Sequence, residues 1–300
     1  MTGGAWVSVE RDVVEVRGPD AMSFLQGQCS QDLLRLGAGD SAWSFVLQPT
    51  GKLDHLVRVT RQADDVVLLD VDAGSGPALV ARLQRFKLRV RAELVRDDGW
   101  WASRPPATDA ESAGPQGAVR VVGWWGQGSW WLGPVAVAGA VPLDERDRIE
   151  AGWPAAGAEL TPEVIPAECG LVPLAVSFTK GCYTGQELVA RIDSRGGNVP
   201  RRLCRLVPLD GATISPGDHL LLDGAEVGWV TSAASPAELV GELVAGPGAG
   251  AIPTAGAVGL GYVGRAVELG AVVHAGPVPV TVLAQRSVPP EVAADRSSAG

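Results

Sequence analysis

Residues 180–191 read KGCYTGQELVAR and set a cysteine, Cys182, between a lysine and a helix-like apolar run. Thr184 and Glu187 have the Thr-x-x-Glu spacing of a capping box, which predicts a helix starting at that point. Cys182 would then lie just ahead of free backbone N–H groups and the positive end of a helix dipole, where a thiolate is favoured. Lys180 would add to the effect if it pointed the same way. Gly181 and Gly185 permit a tight backbone and close approach by a ligand. Two readings follow: a reactive, partly exposed thiol, or a small buried apolar residue, the commonest fate of a free cysteine.

The other cysteines, Cys29, Cys169 and Cys204, have no comparable setting, and no CxxC or Cys/His spacing predicts a metal site or a disulfide framework. A nucleophilic triad would need a base, and none of His55, His219 and His274 carries a local signature tying it to Cys182. The formal charge of −9 argues against nonspecific duplex binding. Two basic runs could still meet an anion locally: Arg82, Arg85, Lys87, Arg89, Arg91 and Arg96, then Arg191, Arg195, Arg201, Arg202 and Arg205. Solvated faces are the plainer reading of both. The N-terminus lacks the features of a secretory signal, and the longest uncharged stretch, from Leu243, is broken by glycines and prolines. A cytoplasmic protein without a membrane span is expected.

The elements that must position these residues mix strands and helices without a βαβ repeat, which predicts an α+β body. Asp20 is the expected N-cap of a helix in GPDAMSFLQGQ, and AWSFVLQPTGKLDHLVRV predicts a hairpin turning on Pro-Thr-Gly-Lys. GPALVARLQRF, residues 76–86, places Leu79, Leu83 and Phe86 on one helical face. A loop from Arg104 precedes a second hairpin turning on Gly126 to Ser129, and Asp144 and Gly152 bracket a short helix carrying Arg148. From Arg201 short Val/Leu strands predict a small β-barrel or sandwich. The expected division is a first α+β lobe over 1–103, a second over 104–200, the barrel over 201–285 and a disordered tail over 286–300. The Trp-Trp doublets at 100, 124 and 130 each send one ring inward and one outward if they lie on strands.

KGCYTGQELVAR, with IPAECGL and the VSFTKG leading into it, resembles the signature of the YgfZ-type folate-binding proteins. These are relatives of the aminomethyltransferase (T-protein) of the glycine cleavage system. FLQGQCSQDLL, PTGKL, RIEAGWPAAGAEL and LGYVGR resemble further landmarks of that family, spanning residues 24–265. The resemblance implies two ferredoxin-like α+β lobes around a central folate site plus a C-terminal β-barrel. Its cofactor would be tetrahydrofolate or a one-carbon derivative, and its clients iron–sulfur enzymes, some of which modify tRNA. Position by position it implies a site made of Lys180, Gly181, Cys182, Tyr183, Gly185, Gln186 and Glu187. Arg148 aligns with an arginine that contacts folate in the T-protein relatives, where a guanidinium can fork onto a carboxylate of the glutamyl tail. Asp54 falls where those relatives carry paired aspartates near the reactive folate nitrogens; here the pair reads Asp54-His55. The segment WWGQGSWW departs from the family's Gly-Gly-Glu context.

Three functions remain open on these grounds. The first is a tetrahydrofolate-binding accessory protein of iron–sulfur enzyme maintenance, with Cys182 and Asp54 as the chemically active groups. The others are an aminomethyltransferase and a thiol-dependent binding protein that has lost folate.

Overall fold

The computed structural model describes residues 4–106, 112–124, 128–235 and 256–286. Strands β1 (Val7–Arg17), β2 (Ser41–Leu47), β3 (Leu53–Ala63), β4 (Val66–Asp72), β5 (Glu93–Arg104), β6 (Val119–Val122) and β7 (Ser129–Gly133) form one sheet in the order β2-β3-β4-β1-β5-β7-β6. A two-residue strand, β8 (Val141–Pro142), runs parallel to β1. The helices are α1 (Ala21–Gln28), α2 (Gly76–Phe86), α3 (Glu145–Ala151), α4 (Val172–Ala175) and α5 (Gln186–Ser194). Strands β9 (Arg201–Pro208), β10 (His219–Leu222), β11 (Ala225–Ala234), β12 (Val258–Gly264), β13 (Val272–Ala275) and β14 (Val278–Leu283) close into a barrel. The C-terminal barrel expected from the short Val/Leu strands is therefore present.

The central stretches of β1, β2 and β4 are buried on both faces, which is why consecutive residues there are mostly apolar. Alternation assigns each residue to a face. Val14, Val16, Val67 and Leu69 pack against α1 and α2 through Leu25, Leu79 and Leu83. Val13 and Leu68 point the other way, into a core shared with α3, the 153–176 segment and the barrel residues Leu203, Leu260 and Tyr262.

The two lobes expected on either side of residue 104 are joined in this one sheet. β5 pairs with β1 along one edge and with β7 along the other, so strands from both lobes share a single hydrogen-bonded layer. Within it the β2–β3 hairpin, α2 and the β6–β7 pairing lie where local patterning placed them. Residues 125–127 of the second turn and the tail from residue 287 lie outside the described residues.

Two caps differ from expectation. Asp20 holds the N-cap position of α1 but makes no cap bond; its carboxylate accepts from the Arg91 backbone N–H and guanidinium instead. The capping box at Thr184 does not form. Helix α5 starts at Gln186 behind Gly185, whose φ of 81° is left-handed, and Gln186 Oε1 accepts from the Tyr183 N–H. Asp144, by contrast, caps α3 through the Arg146 N–H, and left-handed Gly152 ends it.

Candidate functional site: a central cavity and a docked cysteine loop

The KGCYTG loop is fixed from two sides. On one side the Lys180 ammonium donates to the carbonyl oxygens of Gln26, Cys29 and Gln31 at 2.7, 2.7 and 2.9 Å. A cation there satisfies carbonyls that the end of α1 leaves without helical partners. The Thr184 N–H adds a bond to the Gly27 carbonyl at 3.0 Å. On the other side Gly185 packs on the β2–β3 turn, where a Cβ would meet the Gln48 carbonyl and stand 3.1 Å from the Gly51 Cα. Lys180 thus serves the end of α1, and the condition under which it would have favoured a Cys182 thiolate, pointing the same way, is not met. Burial lowers its pKa, although Cys29 and Asp32 oppose the shift.

Cys182 itself is exposed, whereas Cys29, Cys169 and Cys204 are buried. Burial pushes the Cys29 thiol up to about 11 and Cys169 up to about 12. Tyr183 is half-buried and likewise pushed up to about 12 by burial. Gly181 has open space where a side chain would project, so its backbone does not require glycine. Glu187 is exposed on the first turn of α5.

Arg148 and Asp54 lie elsewhere, along a second feature. A cavity of about 370 Å³ opens between the sheet and α3, lined by Arg11, Asp72, Trp124, Glu145, Arg148 and Trp153 among others. It continues through Arg11, Asp72, Trp124 and Trp153 into a narrow pocket that also touches Trp43, Asp54 and His55. No residue from Lys180 to Glu187 lines either space. The structure therefore brings Arg148 and Asp54 to one connected cavity and leaves Cys182 outside it.

The cavity charges are already engaged. Arg148 donates to Glu145, to the Trp153 carbonyl, to Glu159 at 3.1 Å and to Ser232 at 2.8 Å. Glu159 also accepts from Thr231 and Ser232 of the barrel at 2.6 Å each. Arg148 is thus the tie between α3 and the barrel. Burial disfavours its charge, but Glu145 and Glu159 hold it and raise its pKa. Arg11 bonds Asp70 at 2.9 Å and pairs with Asp72, while Arg58 forks onto Asp70 at 2.8 and 3.0 Å.

Tryptophans close over this buried network. The Arg58 guanidinium lies 5.3 Å from the Trp43 ring and 4.7 Å from Trp124, whose ring also faces Arg11 at 5.2 Å. Trp43 stands 5.0 Å from Trp153, and Trp124 stands 4.4 Å from Trp130. The doublet at 130 behaves as strand alternation requires, with Trp130 buried and Trp131 half-exposed, whereas Trp100 and Trp101 are both half-exposed and the partner of Trp124 lies outside the described residues.

Sequence reasoning missed Arg11, Asp70, Asp72 and Trp153. The available signal was a charge inside an apolar strand, in VERDVVEV and VVLLDVD, which demands a buried partner. The basic runs are mostly consumed internally. Arg82 pairs with Asp54, Lys87 bonds the Ala92 carbonyl, Arg91 pairs with Asp20, Arg96 with Asp98 and Arg201 with Glu168. Arg202 donates to the carbonyls of Arg265 and Val267. Among the described residues no cluster of His, Cys, Asp and Glu could hold a metal ion, and no helix is long and apolar enough to cross a membrane.

The chain has the fold of the glycine cleavage system aminomethyltransferase T from Bartonella henselae, with a TM-score of 0.77 over 96% of this chain and 87% of that one, at 22% identity. No protein-family model matches it. It is 29% identical over 219 residues to the tRNA-modifying protein YgfZ of Edwardsiella ictaluri, covering 62% of this chain and 65% of that protein. It is 30% identical over 255 residues to the mouse mitochondrial iron–sulfur cluster assembly factor IBA57, covering 72% and 71%. The chain spans about two thirds of the length of such relatives, 65% and 71% for these two. With its sequence landmarks, its barrel and its T-protein-like architecture in agreement, the chain belongs to the YgfZ/IBA57 family.

Proposed function

We propose that the protein is a folate-binding accessory factor in the assembly or maintenance of iron–sulfur proteins, among which tRNA-modifying enzymes are candidate clients. The observation that carries the folate part is the central cavity. Its lining pairs aromatic faces, Trp124 and Trp153, with the carboxylates of Glu10, Asp72 and Glu145. A pterin offers a flat ring for the former and an amino-pyrimidinone edge of N–H donors for the latter. The donor set therefore fits the group. Bound there, tetrahydrofolate would supply nitrogens able to carry a one-carbon unit.

The chain's own residues would divide the work. Asp72 is held by Arg11 and by the Ala156 N–H at 2.9 Å, which lower its carboxylate pKa below the ordinary value and favour the ionised form. It can therefore accept from a ligand N–H. Trp43, Trp124 and Trp153 exclude water from the inner end. Asp54 stands at the far wall, where its carboxylate could receive a proton from the ligand. Cys182, exposed on its docked loop, faces client proteins rather than the pterin.

Calorimetric titration with tetrahydrofolate tests the reading, with saturable heat and quenching of tryptophan fluorescence expected. No heat at high micromolar ligand removes the folate component. Formation of methylenetetrahydrofolate from an aminomethylated lipoyl carrier would replace the accessory role with aminomethyl transfer. In a deletion strain, wild type should restore iron–sulfur enzyme activity and Cys182→Ala should not.

A further inference from the structure

Among the described residues four arginines are buried, Arg11, Arg58, Arg148 and Arg205. Three of them hold carboxylates: Arg11 and Arg58 meet on Asp70, and Arg148 takes Glu145 and Glu159. Arg205 holds none. It is 4% exposed, its Nε is sealed without a hydrogen-bond partner, and it makes no ion pair among the described residues. A guanidinium does not shed its proton to escape such a place, so the missing counter-charge has to come from elsewhere.

The surroundings deepen the deficit. Alternation along β9 sends Cys204 and Leu206 into the barrel and Leu203 and Arg205 toward α3. Across the strand pair Arg205 stands opposite Leu283, three residues before Arg286, whose backbone N–H donates to the Ala151 carbonyl at the end of α3 at 3.0 Å. The exposed Arg286 side chain is near enough for its charge to act on Arg205. Burial first and Arg286 second push the Arg205 pKa down to about 10, against Glu150, and leave it a cation at neutral pH. Glu150 is already engaged, pairing with Arg146 at 2.8 Å. One carboxylate thus stands among three guanidiniums. None of Arg146, Glu150, Arg205 and Arg286 lines the central cavity.

We infer that Arg205 and Arg286 form an oxoanion site where β9 meets the end of α3, taking a carboxylate or phosphate group between the two guanidiniums. Planar forks of N–H donors suit either group, and the surplus of positive charge draws it in. Two sources can supply it: a small anion from solution, or an acidic side chain from the residues after Arg286, where the sequence has Glu291 and Asp295. Occupied, the site clamps the barrel onto the helix that carries Arg148. It uses no residue of the cavity and stands apart from the folate reading.

The test follows the thermal midpoint of the full chain near neutral pH at fixed ionic strength, with chloride exchanged for inorganic phosphate or citrate. It is run on wild type, Arg205→Met, Arg286→Gln, Arg191→Gln and a double variant carrying Glu291→Gln and Asp295→Asn. If the anion comes from solution, wild type gains about 2–4 °C with phosphate or citrate. Arg205→Met then loses the gain, and Arg286→Gln weakens calorimetric binding of the anion roughly tenfold. Arg191, exposed on α5, controls for net charge, and its variant keeps the gain. If the chain supplies the carboxylate, wild type is indifferent to either anion, whereas the double variant has a lower midpoint in chloride and recovers it with phosphate. Both patterns support the site. Because Arg286 is exposed, Arg286→Gln keeps the test decisive even where Arg205→Met does not fold. A gain that either arginine substitution leaves intact, or no gain in wild type and the double variant alike, overturns the inference.

Discussion

Gly185 and Gly51 pack backbone against backbone: a Cβ on Gly185 would stand 3.1 Å from the Gly51 Cα, and one on Gly51 would stand 2.9 Å from the Gly185 carbonyl oxygen. Two short glycine motifs, KGCYTG and PTGK, are therefore one joint. Both glycines also have positive φ, 81° and 83°. Gly185→Ala combines a left-handed strain with a contact that neither backbone can relieve, and should cost on the order of 2 kcal/mol or more. Gly181→Ala, next to Cys182 in the same loop, meets open space and should change little. Urea midpoints of the two variants check the contrast; equal midpoints would sink it.

Lys180 serves α1, so its removal should be felt as stability and not as thiol reactivity. Lys180→Gln loses charge-assisted bonds to as many as three carbonyls and should cost about 2 kcal/mol. The alkylation rate of Cys182 should stay within about threefold of wild type, since the ammonium does not point at it. A tenfold slower rate would restore the electrostatic role expected from the sequence.

The thiols should separate by access. Iodoacetamide should modify exposed Cys182 in the native protein and reach Cys29 and Cys169 only on unfolding. Burial raises the folded pKa of Cys29 to about 11 and of Cys169 to about 12. A raised folded value means the native state holds protons the unfolded chain releases. The contribution is intact below the unfolded thiol range near 9 and is lost as pH climbs from there toward 11. Urea midpoints measured from pH 8 to pH 10 should fall, and less steeply in Cys29→Ala.

Asp70 sits between two buried guanidiniums, accepting from Arg58 and Arg11. Asp70→Asn leaves those cations facing each other beneath Trp43 and Trp124, an uncompensated buried charge worth about 3–5 kcal/mol. Tryptophan emission should shift to longer wavelength as water enters. An emission maximum and midpoint like wild type would show that the network is dispensable.

Much of the frame was legible locally. The turn in AWSFVLQPTGKLDHLVRV placed the β2–β3 hairpin, Asp144 and Gly152 bracketed α3, and GPALVARLQRF marked the bounds of α2, because caps and periodicity act within one or two turns of chain. The exposed state of Cys182 was also anticipated. Its supposed activator was not: Lys180 found carbonyls about 150 residues earlier in the chain, a choice no local pattern records.

The sequence by itself determined the elements, the family and the unusual loop around Cys182. Only the tertiary structure decided that Arg11, Asp72, Trp124, Arg148 and Trp153 share a cavity while Cys182 stands outside it. The physical reason is that cavity walls are made by strand pairing and helix docking. β1 meets β4 and β5 through backbone hydrogen bonds that are nearly blind to side-chain identity, and buried charges then take whichever partners that register brings within reach.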